Sequence, residues 1–289
     1  MRRIHADLLL LLAAAIWGLA FVFQKTAMDH VGPTTFIAAR GLLAALALWP
    51  LALVEGRRSG GVPLTADLLR IAGAGGLMFF IGAIFQQVGL MSTTVSNTGF
   101  LTGLYVILTP FVVWAWKRRR PKPLIWMAAA MTFVGTWLLG GGAIGGLGIG
   151  DGYVAICALF WALHLTVVSA STRFDRPVAF TAVQFAVVGG LGLIASFVTE
   201  TTTLAGLIAA APAIAYVGLL SSALTFTLLA VAMKYASATE AAIIVSLETV
   251  FAAIAGALLL GEQLTLVSIA GASLILASII LVQFVSSKL

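Results

Sequence analysis

The chain has 289 residues, of which 61% are hydrophobic and only 9% are charged, and its mean hydropathy is +1.12. Soluble domains carry about 25% charged residues, so this composition excludes a water-soluble fold and indicates an integral membrane protein. The net charge of +6 does not indicate nucleic-acid binding, because the basic residues lie in short gaps between apolar runs, and the single cysteine excludes an intrachain disulfide.

Ten apolar runs are each long enough to cross the hydrocarbon core of a bilayer, which takes about 20 helical residues. Their hydrophobicity is continuous, which predicts helices rather than the alternating strands of a barrel. The gaps between them are too short for a soluble domain. The predicted spans lie at approximately 7–28, 33–54, 67–90, 93–115, 123–140, 151–172, 177–199, 212–234, 238–260 and 264–285.

The basic residues predict the orientation of these spans. With the N-terminus in the cytoplasm, fourteen of the 16 Lys and Arg residues fall on the cytoplasmic side, Lys25 alone falls outside, and Arg40 lies within the second span. Cytoplasmic loops of membrane proteins are enriched in Lys and Arg. We therefore expect both termini in the cytoplasm. The richness in Ala, Gly and Leu further indicates a bacterial inner membrane.

The two halves of the chain resemble each other. When residues 151–182 are aligned with 7–38 at an offset of 144, several uncommon residue types coincide. The matched pairs include Asp7 with Asp151, Trp17 with Trp161, Pro33 with Pro177 and Phe36 with Phe180. Five spans per copy is an odd number, so the second copy starts on the opposite side of the membrane, which predicts an inverted repeat.

This repeat divides the chain into two five-helix units, 1–140 and 151–289, joined by a glycine-rich linker at 141–150. The glycine spacing in the linker is not a dinucleotide-binding fingerprint, because that motif requires a preceding strand in a βαβ unit. The predicted fold is all-α, with ten transmembrane helices around a central cavity. One chain holds both copies, so a monomer is sufficient to build the site.

Aromatic residues near mid-depth are candidates for the walls of the cavity. Trp17 and Trp161 each lie ten residues from the aspartate that opens their span, or about 15 Å along the helix. Tryptophan usually prefers the membrane interfaces, so two symmetry-related tryptophans at this depth favour a cavity between the repeats. Phe21 shares a face with Trp17. Phe79 and Phe100 are further candidate wall residues, although packing in the core is the commoner role of a phenylalanine.

Polar side chains inside spans are costly and often functional. Arg40 could receive a substrate carboxylate or simply extend toward the interface. Glu248 could bind an amine or a proton, or it could hydrogen-bond a neighbouring helix. The remaining polar candidates for substrate binding are Gln86, Asn97, His164 and Ser246.

Several motifs carry a family resemblance. They are WGLAFVFQK at 17–25, P-x6-R from Pro33 to Arg40, VSNTGFLTGLYVILTPF at 95–111, and LETVFAAIAGALLLGEQLT at 247–265. Together with Trp161 they resemble the EamA-type branch of the drug/metabolite transporter superfamily, over nearly the whole chain. Thr249 stands where that family often has proline. The resemblance implies a ten-helix fold, a central cavity and alternating access, mostly for export of small metabolites.

Two functions remain open from the sequence. The first is export of amino acids, and the alternative is proton-coupled export of cationic drugs, purines or sugars, because aromatic walls also suit cations. An enzyme is not indicated, since the three histidines are far apart and no metal-ligand motif is present. We expect no cofactor and no nucleic-acid partner, only a small-molecule substrate and the lipid bilayer.

Overall fold

A computed structural model describes residues 3–58, 64–118, 120–139, 148–261 and 263–286. These parts of the chain contain helices and no strands. Most of the predicted linker, 140–147, lies outside them. The α-helices are α1 (Arg3–Ala27), α2 (Pro33–Arg58), α3 (Ala66–Leu90), α4 (Val95–Thr102), α5 (Tyr105–Lys117), α6 (Pro123–Leu139), α7 (Ile149–Ser171), α8 (Pro177–Thr199), α9 (Leu204–Ala215), α10 (Thr225–Ala232), α11 (Ala238–Val245), α12 (Leu247–Leu260) and α13 (Leu266–Ser286).

Eight helical segments of the described chain are long and apolar enough to cross a membrane, and Pro123–Leu139 and Leu266–Val282 are shorter apolar helices. Large apolar side chains cover the outside of the bundle. Phe197 is 81% exposed and Leu258 is 79% exposed. Such a surface is stable in lipid, where exposed hydrocarbon carries no penalty. The sequence therefore predicted a helical membrane protein correctly.

The eighth predicted span was placed too late in the chain. The sequence put its start at 212, whereas α9 begins at Leu204. The start is set by Thr203, whose side chain accepts a hydrogen bond from the backbone N–H of Gly206 at 3.1 Å, as N-cap residues do. Pro212 lies inside the helix rather than at its beginning.

Two of the predicted spans are broken into two helices each. The fourth is divided between α4 and α5 at Gly103 and Leu104, and the ninth is divided between α11 and α12 at Ser246. At the second break the backbone N–H of Thr249 bonds to the carbonyl of Ser246 at 3.0 Å, one residue short of the α-helical spacing. The α-helical hydrogen-bond pattern is thus interrupted there without a proline.

A π-helix links α9 to α10 over Tyr216–Leu224. Its wider turn lets the hydroxyl of Ser222 donate to the carbonyl of Val217, five residues back, at 2.7 Å. π-helical segments are rare and occur frequently at functional sites. This segment faces α1 and α2 and shapes one wall of the central cavity.

Helices α2 and α8 pack closely along their length because small residues face each other. A methyl group on Gly189 would lie 2.7 Å from the backbone nitrogen of Leu42, and one on Gly41 would lie 2.7 Å from the backbone nitrogen of Gly189. Only glycine permits this approach. Close packing through small residues is the common means of helix association in membranes.

A carboxylate at each end ties the α2–α8 pair together. Glu200, which follows α8, accepts hydrogen bonds from the backbone N–H groups of Thr34 and Thr35 at 2.8 and 2.9 Å. At the other end Glu55 accepts from the backbone N–H groups of Val178 and Ala179, both at 2.9 Å. Each helix therefore ends on a side chain that satisfies the free N–H groups at the start of its partner.

Helix contacts between the two halves build the rest of the bundle. α3 packs on α7, and α1 packs on the π-helix, α10 and α12. α6 packs on α13, the last helix of the chain. The main cluster of buried apolar residues draws on both halves of the chain. This arrangement leaves a cavity between α1, α3, α7, α10 and the two broken spans.

Candidate functional site

A central cavity with about 60 Å³ of water-accessible space lies between the two halves. Helices α1, α2, α3, α7, α10 and the two broken spans contribute to its walls. Seven of the eleven residues predicted from the sequence line it: Trp17, Phe21, Arg40, Gln86, Trp161, His164 and Glu248. Its other lining residues are Gln24, Thr102, Tyr105, Leu165, Ser221, Phe226, Leu229 and Val245.

Aromatic rings form much of the wall. Trp17 packs against Phe226 with ring centroids 4.8 Å apart. Trp161 stacks near the same Phe226 at 6.5 Å and an interplanar angle of 29°, and it meets Phe79 edge-on at 5.0 Å. The indole of Trp17 is fixed by a hydrogen bond from Nε1 to the carbonyl of Ser221 at 2.9 Å. These flat apolar faces suit an aromatic or aliphatic group of a ligand.

Arg40 brings a buried positive charge to the cavity, and only 4% of its surface is exposed. Its Nε donates to the hydroxyl of Ser222 at 3.1 Å, and its Nη1 donates to Oε1 of Gln24 at 3.2 Å. Its guanidinium also lies 5.4 Å from the centre of the Phe79 ring. Among the described residues these partners are neutral, and no carboxylate lies within ion-pair distance. A buried charge with neutral partners favours binding of an anion.

Glu248 brings a carboxylate to the same cavity and is 6% exposed. It lies in the first turn of α12, where the helix dipole favours a negative charge. Within the described chain it forms no ion pair. Tyr105 of α5 lines the cavity as well, and its buried hydroxyl is a hydrogen-bonding neighbour of the Glu248 carboxylate. These groups can bind a cationic or hydrogen-bonding ligand.

His164 and Gln184 form a buried polar pair beside the cavity. Nε2 of His164 lies 2.8 Å from Oε1 of Gln184. With Oε1 of Gln184 assigned as the acceptor, the neutral imidazole carries its proton on Nε2 and leaves Nδ1 as an acceptor. Nδ1 of His164, Nε2 of Gln184 and Nε1 of Trp161 have no hydrogen-bond partner in the described chain. Buried polar atoms are nearly always hydrogen-bonded, so unsatisfied atoms around a cavity indicate a place for a polar ligand.

Gln86 adds an oriented amide, since its Nε2 donates to the hydroxyl of Thr102 at 3.0 Å. The other four predicted residues do not line the cavity. Phe79 is fully buried behind Trp161, and the hydroxyl of fully buried Ser246 bonds to the carbonyl of Ile243.

The last two predicted residues belong to α4. Asn97 lies in its first turn, where the backbone N–H bonds to Thr94, and Phe100 packs beside Val154 and Cys157. The structure thus places both outside the cavity lining, while Thr102 at the end of the same helix does line it.

Gln24 and Phe226 are two of the eight lining residues that the sequence interpretation missed, and a sequence signal existed for Gln24 alone of these two. Gln24 follows Phe21 by three residues and Trp17 by seven, so helical spacing puts all three on one face. Phe226 carried no such signal, because it reaches Trp17 only through contacts between distant parts of the chain.

The helices and the cavity define a multi-pass membrane protein with a central cavity. The EamA-like transporter family model matches the chain twice, over residues 4–141 and 148–284. The chain therefore belongs to this family. An uncharacterized transporter of Archaeoglobus fulgidus is 32% identical over 271 residues, which cover 91% of this chain and 81% of that protein. These relationships indicate a transporter rather than an enzyme.

A solved crystal structure has the same fold. It superposes with a TM-score of 0.77 at 17% sequence identity, and the match covers 99% of both chains. At this identity the likeness concerns the fold alone.

Proposed function

We propose that this transporter exports amino acids, aromatic and other neutral ones, and related small metabolites across a bacterial inner membrane. One observation carries the proposal: buried Arg40 and buried Glu248, neither in an ion pair within the described chain, share a cavity with aromatic walls. An amino acid has a carboxylate for the first, an ammonium for the second and a side chain for the rings of Trp17, Trp161 and Phe226. Its two charges would compensate both buried groups.

The proposed architecture comprises ten membrane-crossing helices in two inverted repeats, 1–140 and 151–289, with both termini in the cytoplasm. Three observations support it. The family model matches each half separately, the carboxylates Glu55 and Glu200 cap partner helices reciprocally, and the basic residues lie on one side of the predicted spans. Within the family, we propose the aromatic amino-acid exporter YddG as a functional relative of this chain.

The proposed mechanism is alternating access around a fixed site. Substrate binds between the two halves, and groups of helices rock so that the cavity opens to one side and then to the other. The breaks between α4 and α5 and between α11 and α12 lie beside the cavity and divide two spans into shorter pieces. A monomer contains every group that this mechanism requires.

Transport by purified protein in liposomes tests the proposal. The panel contains phenylalanine, tryptophan, methionine, threonine, a purine and a quaternary ammonium dye, each with and without a pH gradient. We expect saturable movement of the amino acids and mutual competition among them. Failure of every amino acid to move or to compete, while the dye moves, would refute the proposed substrate class.

The alternative is a proton-coupled exporter of cationic drugs, purines or sugars, and buried Glu248 is the observation that favours it. A cation exporter that exchanges its substrate for protons requires this carboxylate. The Glu248→Gln variant separates the two functions when it is assayed with the dye and with phenylalanine. Gradient-driven dye transport that disappears in the variant supports the alternative. Phenylalanine transport by the wild type without any gradient, weakened in the variant because the ammonium loses its partner, supports the main proposal.

A further inference from the structure

A second hollow, which shares no lining residue with the central cavity, lies on the lipid-facing surface of the bundle. It has about 280 Å³ of water-accessible space between the end of α2, the start of α8 and Leu64 just before α3. Its sides are apolar, and Ala52, Ala179 and Ala182 form a narrow floor of small residues. We call it the α2–α8 groove.

One end of the groove is positively charged. Arg57, in the last turn of α2, lines it and is exposed. Arg176 lines the same end but is engaged, since its Nε pairs with Glu55 at 3.1 Å and its Nη2 donates to the carbonyl of Ala52 at 3.2 Å. No ion pair of Arg57 is found in the described parts of the chain. Arg57 is therefore the cation that the groove offers to a ligand.

The apolar part of the groove runs from this charge toward the membrane interior. Trp49 lines it two turns before Arg57, which is about 12 Å along the helix. Trp49 and Leu53 are 45% and 56% exposed. A ligand that fills the groove therefore needs an anionic head at Arg57 and a hydrocarbon tail beside Leu53 and Trp49.

We propose that the α2–α8 groove binds an anionic phospholipid, with its phosphate at Arg57 and one acyl chain between α2 and α8. Basic pockets between transmembrane helices bind anionic headgroups in this way. Charge complementarity favours a lipid over a second protein helix, because a helix packed in the groove would bury Arg57 without neutralising it. The site is independent of the transported substrate.

The test uses delipidated protein in a neutral detergent, and native mass spectrometry counts bound lipids. The probes are phosphatidylglycerol and phosphatidylcholine with identical chains. Arg57→Gln is compared with Arg58→Gln, which removes the same charge from the exposed neighbour that does not line the groove. We expect one phosphatidylglycerol to bind in preference to phosphatidylcholine. Its binding should weaken about fivefold in Arg57→Gln and stay unchanged in Arg58→Gln.

A second variant, Val183→Trp, fills the groove and leaves Arg57 in place. It should reduce phosphatidylglycerol binding at least as much as Arg57→Gln, and a thermal unfolding curve confirms that it folds. Equal effects of the two arginine variants would overturn the proposal, because they would indicate diffuse attraction to the membrane surface. Competition by inorganic phosphate at the same concentration would indicate a free-anion site instead. A dimer that Val183→Trp disrupts would indicate that a second copy of the chain occupies the groove.

Discussion

Glu200→Gln should loosen the contact between α8 and the start of α2. Glu200 accepts two backbone hydrogen bonds, from Thr34 and Thr35 at 2.8 and 2.9 Å, and glutamine retains only one acceptor oxygen. A hydrogen bond to a charged group contributes about 1.5–3 kcal/mol, and a charge at a helix N-terminus adds about 0.3–1 kcal/mol. Because Glu200 is only half-buried, solvent screening reduces the sum of these contributions. We expect the free energy of unfolding to fall by about 1–2 kcal/mol in the variant.

The effect should depend on pH. Burial alone raises the pKa of Glu200, but the hydrogen bonds from Thr34 and Thr35 outweigh it, so the pKa lies below its ordinary value. A lowered pKa in the folded state means that the stabilisation is complete above the unfolded-state pKa of about 4.3 and is lost as the pH falls through the folded-state pKa. The wild type and the variant should therefore differ at pH 7 and converge in acid.

Amide hydrogen exchange in detergent, together with thermal unfolding, measures how much the carboxylate of Glu200 stabilises the start of α2. The amides of Thr34 and Thr35 should exchange about 5–30 times faster in Glu200→Gln at pH 7, the ratio that corresponds to about 1–2 kcal/mol. Asp29→Asn is the matched control, because it removes an exposed carboxylate from the α1–α2 connection without touching a helix cap. Equal exchange in the two variants, or a difference that grows as the pH falls, would refute the capping role.

Three further predictions concern the cavity and the helix contacts. Trp17→Ala and Trp161→Ala should each impair transport in liposomes while the protein stays folded, and wild-type rates in both would mean that the cavity is not the transport site. Arg40→Gln should weaken phenylalanine transport about 10–100-fold, as expected for loss of a charged hydrogen bond, but it should spare phenethylamine, which lacks the carboxylate. Gly189→Ala should destabilise the protein by about 1–3 kcal/mol because its methyl group would collide with α2. Gly190→Ala, with open space around the added methyl group, should be nearly neutral. Equal melting temperatures of the two glycine variants would contradict the close contact between α2 and α8.

The class of fold could be predicted from the sequence because hydropathy acts locally. Each run of about 20 apolar residues must cross the bilayer as a helix whatever its neighbours are. The interruptions were harder to predict. At the break in the fourth span, a methyl group on Gly103 would lie 3.0 Å from Thr136 and 3.3 Å from Thr249, so residues distant in the sequence surround it. Nothing within the ninth span itself, which has Thr249 where the family often has proline, indicates an interruption.

The residues that line the cavity could likewise be predicted only in part. Trp17 and Trp161 could be identified because they coincide under the repeat, and Glu248 because a charge inside a span is conspicuous. Phe79 and Ser246 belong to the same residue types as residues of the cavity wall, but Phe79 packs behind Trp161 and the hydroxyl of Ser246 bonds to Ile243 of its own span. Which face of a helix meets the cavity is decided by packing against the other half of the chain, and the periodicity of one span does not contain that information.

The two halves differ where Arg40 in the first corresponds to Gln184 in the second, at the same offset of 144 as the tryptophans. Arg40 lines the cavity, whereas Gln184 is engaged with His164. A cavity with perfect twofold symmetry would hold a ligand equally well in two opposite poses. In a duplicated gene, divergence between the copies removes that degeneracy. Besides Arg40 and Gln184, Gln24 falls on Val168 and His164 falls on Ala20 at the same offset. Because Gln24, Arg40 and His164 line the cavity, its opposite walls present different chemistry to a ligand.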